Sequence, residues 1–152
     1  MSQQNLGKVI KVVRATNAVV AGAADANPTV ANIDMQGYDG VLFIVAIGTL
    51  LATQVTSLKA QDSSDGSTGW ADLAGTKAGP MADADSNKTL VLDVYRPVKR
   101  YIRPVVSRAT ANAVIDGVIA ILYKGSALPV PYDATTQSVA VKAAVSPAAG
   151  TP

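Results

Sequence analysis

The sequence predicts an all-β protein: an antiparallel β-sandwich or jelly-roll-like body with extended N- and C-terminal arms. Three observations carry that expectation. All 11 acidic residues are Asp and none is Glu; Asp favours turns and caps, whereas Glu favours helix interiors. Val41 to Ile47 is apolar at every position and rich in β-branched residues, the mark of a strand covered on both faces in the middle of a core. Three later runs, Thr89 to Val94, Arg100 to Arg108 and Val114 to Tyr123, alternate with a strand's period of two.

At 152 residues the chain suits one domain with room for a core. Its compositionally biased ends divide it into an N-terminal arm (1–32), a body (33–131) and a C-terminal arm (132–152). It contains neither Cys nor His. Disulfides and thiolate chemistry are thereby excluded, together with the commonest general base and the commonest metal ligand. A net charge of +2 with a pI near 8.9 is too mild to call for nucleic acid. Met1 to Asn5 is polar and lacks a signal-peptide pattern. The most apolar run, Gly40 to Ala52, falls short of the roughly 20 residues of a membrane-spanning helix.

Taken in order, Lys8 to Arg14 reads as a short strand whose Lys and Arg residues suit a sheet edge. Ala21 to Pro28 reads as a flexible linker or turn, and Val30 to Met35 as another strand. Gly37, Asp39 and Gly40 punctuate the entry to the buried strand, and Gly48 is expected to begin a bend out of it. From Thr53 to Gln61 the period slips at Thr56–Ser57, as a β-bulge would make it. Asp62 to Gly69 is a turn cluster, and Trp70 is expected to cap one end of the core. Ala71 to Lys88 reads as a long loop with a Gly79–Pro80 turn.

In the last three strands Leu90, Leu92 and Val94 share one face, as do Ile102, Pro104 and Val106. The face carrying Ile115, Ile119, Ile121 and Tyr123 is wholly apolar. Turns at Arg96–Pro97 and Thr110 to Asn112 predict an antiparallel meander. Pro104 cannot donate to a ladder, which puts its strand at an edge or at a local irregularity. Beyond Gly125, the Leu128-Pro129-Val130-Pro131 run is extended, and the small residues after Asp133 give little bulk for a core.

Arg96, Lys99, Arg100, Arg103 and Arg108, with Tyr101 among them, form the densest basic cluster. Its functional reading is phosphate or base binding. Its structural reading places Arg103 between Asp93 and Asp116 on neighbouring strands, and the absence of any nucleic-acid motif favours it. Asp62-Ser63-Ser64-Asp65-Gly66 and Asp83, Asp85, Asn87 lack a full calcium-loop pattern, so turns explain them better. No nucleophile elbow, P-loop or zinc-helix motif occurs. The residues therefore predict no enzyme, no metal and no cofactor.

The order of features from Ile33 to Val130 resembles small virion proteins of tailed bacteriophages, notably head decoration or cement proteins. The likeness rests on Gly37-Tyr38-Asp39-Gly40 leading into the apolar strand, and on Leu58 to Gln61 running to Asp65-Gly66-Ser67 and Trp70-Ala71-Asp72. Asp93-Val94, Arg96-Pro97, Lys99-Arg100-Tyr101 and Tyr123 to Gly125 follow. The resemblance implies a capsid-stabilising protein on the outer surface of the virion, made in the host cytoplasm. Its implied partners are the major capsid protein and further copies of itself, as a trimer or dimer. The expected inter-subunit contacts are Lys8, Lys11, Arg14, Trp70, Arg96, Arg100, Pro129, Pro131, Val139 and Val141. A tail-tube or head–tail connector protein is the nearest alternative. A different class is a carbohydrate- or surface-binding module using Tyr38, Trp70 and the 62–69 loop.

Overall fold

A computed structural model describes residues 5–26 and 32–130. Within them lie β1 (Lys11–Thr16), β2 (Val19–Gly22), β3 (Ile33–Asp34), β4 (Tyr38–Leu50), β5 (Val55–Ser63), β6 (Ala71–Asp72), β7 (Thr89–Tyr95), β8 (Tyr101–Ala109) and β9 (Ala113–Gly125). Single 3-10 turns occur at Leu6–Lys8 and Asp83–Asp85. The strands form two antiparallel sheets, β1-β9-β4-β7 and β3-β8-β5-β6, with β2 also paired to β9.

The topology resolves the choice between a simple sandwich and a jelly roll. β1 lies opposite Val118 to Leu122, and β2 opposite Ala113 to Ile115. The two are halves of one edge strand, broken where β9 bulges at Asp116–Gly117. Counted so, eight strands remain and the first pairs with the last. Successive strands alternate between the sheets except at the β5–β6 hairpin. This is the winding of a jelly roll.

The core lies between the sheets. Val41, Phe43, Val45 and Ile47 alternate inward from β4 and are almost wholly buried. Leu58 and Ala60 of β5, Ile102 and Val106 of β8, and Val118, Ala120 and Leu122 of β9 meet them. Each fully buried large aliphatic or aromatic side chain contributes about 2 kcal/mol. The intervening residues Leu42, Ile44 and Ala46 are only half-buried, so β4 is a core strand on one face.

Several local expectations are corrected by this winding. The last three strands are no meander: β7 and β9 flank β4 while β8 sits in the opposite sheet. Arg103 accordingly meets neither Asp93 nor Asp116. The bulge in β9 reverses its faces, so Ile115 points inward while Ile119, Ile121 and Tyr123 point outward. β5 pairs with β8 in unbroken register from Val55 to Ser63, without the expected bulge. Thr56 and Ser57 are both buried because the following segment crosses this edge, with Ala78 bridging Leu58 and Met81 N donating to Thr56 O. That segment also includes β6, so 71–88 is not all loop.

Gly48 does not end β4. It is a buried strand residue whose missing side chain leaves room for Val114 and Asp116. The body also starts earlier than expected, since β1 and β2 belong to a sheet and Val13, Ala15 and Ala26 join the core.

Pro104 is buried in a strand flanked on both sides. Val106 exchanges hydrogen bonds with Ala26, and Arg100 O accepts from Met35 N. Residues of that parity point their backbone groups towards Ala26 and β3. The missing donor of Pro104 therefore lies on the side of β8 away from β5, where it interrupts no described ladder.

Candidate functional site: the basic end of the sandwich

The β7–β8 connection, Arg96 to Arg100, is the most sharply built surface feature. Arg96 turns the chain with φ 52°, and its N donates to Asp39 O at 2.7 Å. Val98 stands 93 % exposed at the tip. Behind it, Lys99 Nζ reaches Asp62 Oδ1 at 2.9 Å, and the Asp62 side chain is buried. Arg100 grips Asp34 with two bonds, Nε to Oδ1 at 3.0 Å and Nη2 to Oδ2 at 2.7 Å. Hydrogen bonding from Arg100 is the largest cause holding Asp34 below the ordinary carboxylate range, opposed by burial and reinforced by a further contribution from Lys11. The two pairs anchor the loop on β5 and β3, so its apolar tip is carried on a fixed base.

Beside this loop runs an open groove of about 620 Å³, lined by Met35, Gln36, Tyr38, Asp39 and Arg96 to Arg100. The chain ends of the body converge on the same region. Val130 N donates to Lys8 O at 2.9 Å, and Ser126 N donates to Gly37 O at 2.8 Å. Lys11 Nζ lies 5.9 Å from the centre of the Tyr38 ring. Lys8, Lys11, Arg96, Arg100 and the exposed Pro129 are thus gathered at one end of the sandwich.

Other predicted contacts fall elsewhere. Arg14 is exposed on the outer side of β1, with no ion pair among the described residues. Trp70 does not cap the core. It lies on the outer face of the β5–β8 sheet, where the Arg103 guanidinium sits 4.3 Å from its ring centre. Arg103 also donates to Gln61 Oε1 from Nε and Nη2, at 2.9 and 2.7 Å. Desolvation lowers its pKa. One face of the indole is therefore already stacked upon. Pro131, Val139 and Val141 lie outside the described residues.

The 62–69 loop is closed by its own donors. Asp65 accepts from the Ser67 and Thr68 amides, each at 2.8 Å, and from the Thr68 and Ser63 hydroxyls at 2.6 and 2.9 Å. These bonds hold its carboxyl far below the usual range. Asn32 Nδ2 also donates to Gly66 O. In the second acidic turn, Asp83 accepts from Thr53 N, and Asp85 accepts from Ala82 N and pairs with Lys88. Ser64 to Gly69 and the second cluster are turns, as their residue types predict, whereas Asp62 and Ser63 are the buried end of β5. Among the described residues no three metal-ligating acids or imidazoles come together.

Sequence reasoning missed two arrangements. Arg108, assigned there to a surface patch, is buried and donates to three main-chain carbonyls: Ala24 O at 2.8 Å, Val20 O at 3.0 Å and Ala113 O at 2.7 Å. It ties β2 and the following turn to the body. Its inward parity with Ile102, Pro104 and Val106 was the available signal. The second is Tyr123, whose hydroxyl donates to Asp93 at 2.6 Å across β4.

No protein-family model and no curated protein matches the chain. A solved structure titled "Structure of infectious bursal disease virus Gt strain" overlays with a TM-score of 0.35 and 12 % identity, covering 78 % of this chain and 33 % of that one. The chain thus spans about a third of that neighbour's length. An overlay at this level carries no argument about fold or role. Among the described residues no helix is long and apolar enough to cross a membrane.

Proposed function

We propose that this protein is a structural component of a virion, a decoration or cement protein that binds adjacent major capsid subunits and stabilises the head. The observation that supports it is the jelly-roll winding of β1 to β9, a fold that recurs in viral capsid proteins, lectins and cupins. Fold alone does not choose among these, but the residues narrow the choice. A metal enzyme on this frame would have to work without His, Cys or Glu. A lectin built around Trp70 would have to work with the ring face that Arg103 does not stack upon. A capsid clamp requires only a rigid body with a well-anchored contact loop and segments able to lie along neighbours. The loop carrying Val98 on its two ion pairs supplies the first contact, and repetition over a lattice makes weak contacts sufficient.

Cryo-electron microscopy of particles assembled with and without this chain tests the proposal. Density on the outer surface of the shell is expected, with lower occupancy after deletion of residues 132–152. Rings at the neck or tail would instead make it a connector or tail-tube protein. Glycan binding that survives the deletion, without capsid binding, would make it a free binding module.

A further inference from the structure

We infer that the outer face of the β1-β9-β4-β7 sheet is a two-fold contact with a second copy of this chain. Register places Val12, Ile121, Leu42 and Asp93 in one row across the sheet, and Arg14, Ile119, Ile44 and Val91 in the next. The middle of each row is aliphatic. The inward-facing residues of β4 are almost wholly buried, whereas Leu42, Ile44, Ile119 and Ile121 are half-buried and Val91 is 51 % exposed. An apolar patch spanning four strands is unusual for a face meant to remain in water.

Charge placement identifies the occupant. Arg14 stands on the β1 edge without an ion pair among the described residues. Asp93 stands on the β7 edge, and among the described residues its one side-chain partner is the Tyr123 hydroxyl. A two-fold axis parallel to the strands and lying over the face exchanges the two edges. It lays the aliphatic rows of one copy on those of the other, and it brings Arg14 of each copy towards Asp93 of its mate. The two charges are one row apart, about 7 Å along the strand, within reach of an extended Arg side chain. Such reciprocal pairing is what an isologous interface requires, and sheets packed face to face at about 10 Å accommodate it. The inference stands apart from the virion reading, because it concerns the free protein.

Sedimentation equilibrium of the full chain over a wide concentration range tests it without any capsid. The expected mass is twice the 15.5 kDa of the chain. Arg14→Asp and Asp93→Arg should each weaken association about tenfold, roughly 1.4 kcal/mol, and the double variant should recover it. Ile44→Lys should give a monomer, with circular dichroism verifying that the fold is kept. Lys77→Glu, on the opposite sheet's connecting segment, should leave the mass unchanged. A wild-type monomer at every concentration would overturn the inference. So would a dimer indifferent to both charge reversals, or one not rescued by their combination.

Discussion

The ring of Tyr123 lies across Gly40. A Cβ built on Gly40 would fall 2.2 Å from Tyr123 Cζ and 2.4 Å from its hydroxyl oxygen. The two residues are directly paired between β4 and β9, and only a missing side chain lets the phenol cross β4 to reach Asp93 on β7. Gly40→Ala should therefore expel the ring and break the Tyr123–Asp93 bond. The expected cost is about 2 kcal/mol by overpacking, read from the urea midpoint. An unchanged midpoint would mean that the ring does not occupy this position.

The same arrangement has a spectroscopic signature. Burial, the Asp93 hydrogen bond and the Asp93 charge push the Tyr123 pKa up to about 12. Ultraviolet titration should show one phenol ionising near that value, absent from Tyr123→Phe. Asp93→Asn should lower the titration midpoint while leaving it above the ordinary phenol value of about 10, because burial remains. A raised folded pKa favours the neutral phenol, so this contribution to stability is intact below pH 10 and is lost as pH rises through the folded pKa.

Arg108 offers a test of how the N-terminal strands are held. Its guanidinium satisfies three carbonyls drawn from β2, the turn after it and β9. Arg108→Met keeps apolar bulk but leaves those acceptors without their donor, at about 1–3 kcal/mol for each acceptor left dry. We expect a loss of about 3 kcal/mol, with amide exchange accelerated first in residues 19–26. Arg108→Lys should recover little of it, since one ammonium does not reproduce the planar fork. Uniformly faster exchange throughout the sandwich would argue against a local clamp.

These contacts also show what the sequence carried and what it concealed. The all-β class and the apolar faces of β7 and β8 were legible because period-two alternation is a local property, whereas β4, apolar at every position, read as covered on both faces and is buried on one. Pairing partners were not, because a jelly roll sends successive strands to opposite sheets. Alternation in β7, β8 and β9 is equally compatible with a meander. The bulge at Asp116–Gly117 then inverted the face of everything after it, since a shift of one residue exchanges inside for outside. Arg108 looked like a surface charge because its three partners are main-chain carbonyls, which leave no mark in the residue types around it. Lys8 and Lys11 are far in sequence from Arg96 and Arg100. Only the winding gathers them at one end.

Acid sensitivity should follow from two hydrogen-bonded carboxylates, Asp34 of β3 and Asp65 of the turn after β5. Asp34 is lowered chiefly by the Arg100 bond, and Asp65 by the Thr68 and Ser67 donors. Their folded pKa values lie below the unfolded value of 3.8, so the stability they contribute is present above that pH and lost as pH falls below it. The melting temperature should be flat near neutrality and drop below pH 3.8. Asp65→Asn should reduce the slope of that drop. A slope identical in both proteins would remove Asp65 from the account.

Thr56 makes the opposite kind of prediction, a gain. Its side chain is fully buried, and its Oγ1 has no hydrogen-bond partner among the described residues. Thr56 lies opposite Arg108 in the β5–β8 register, but that guanidinium is committed to main-chain carbonyls. A buried hydroxyl without a partner costs about 1–3 kcal/mol relative to water, and Val has the same branched shape without the polar atom. Thr56→Val should therefore raise stability by about 1 kcal/mol, seen as a higher urea midpoint at unchanged m-value. A clear loss would mean that the hydroxyl is bonded after all, for example through an internal water. In that case the β5–β8 pairing near Arg108 is held partly by that bond.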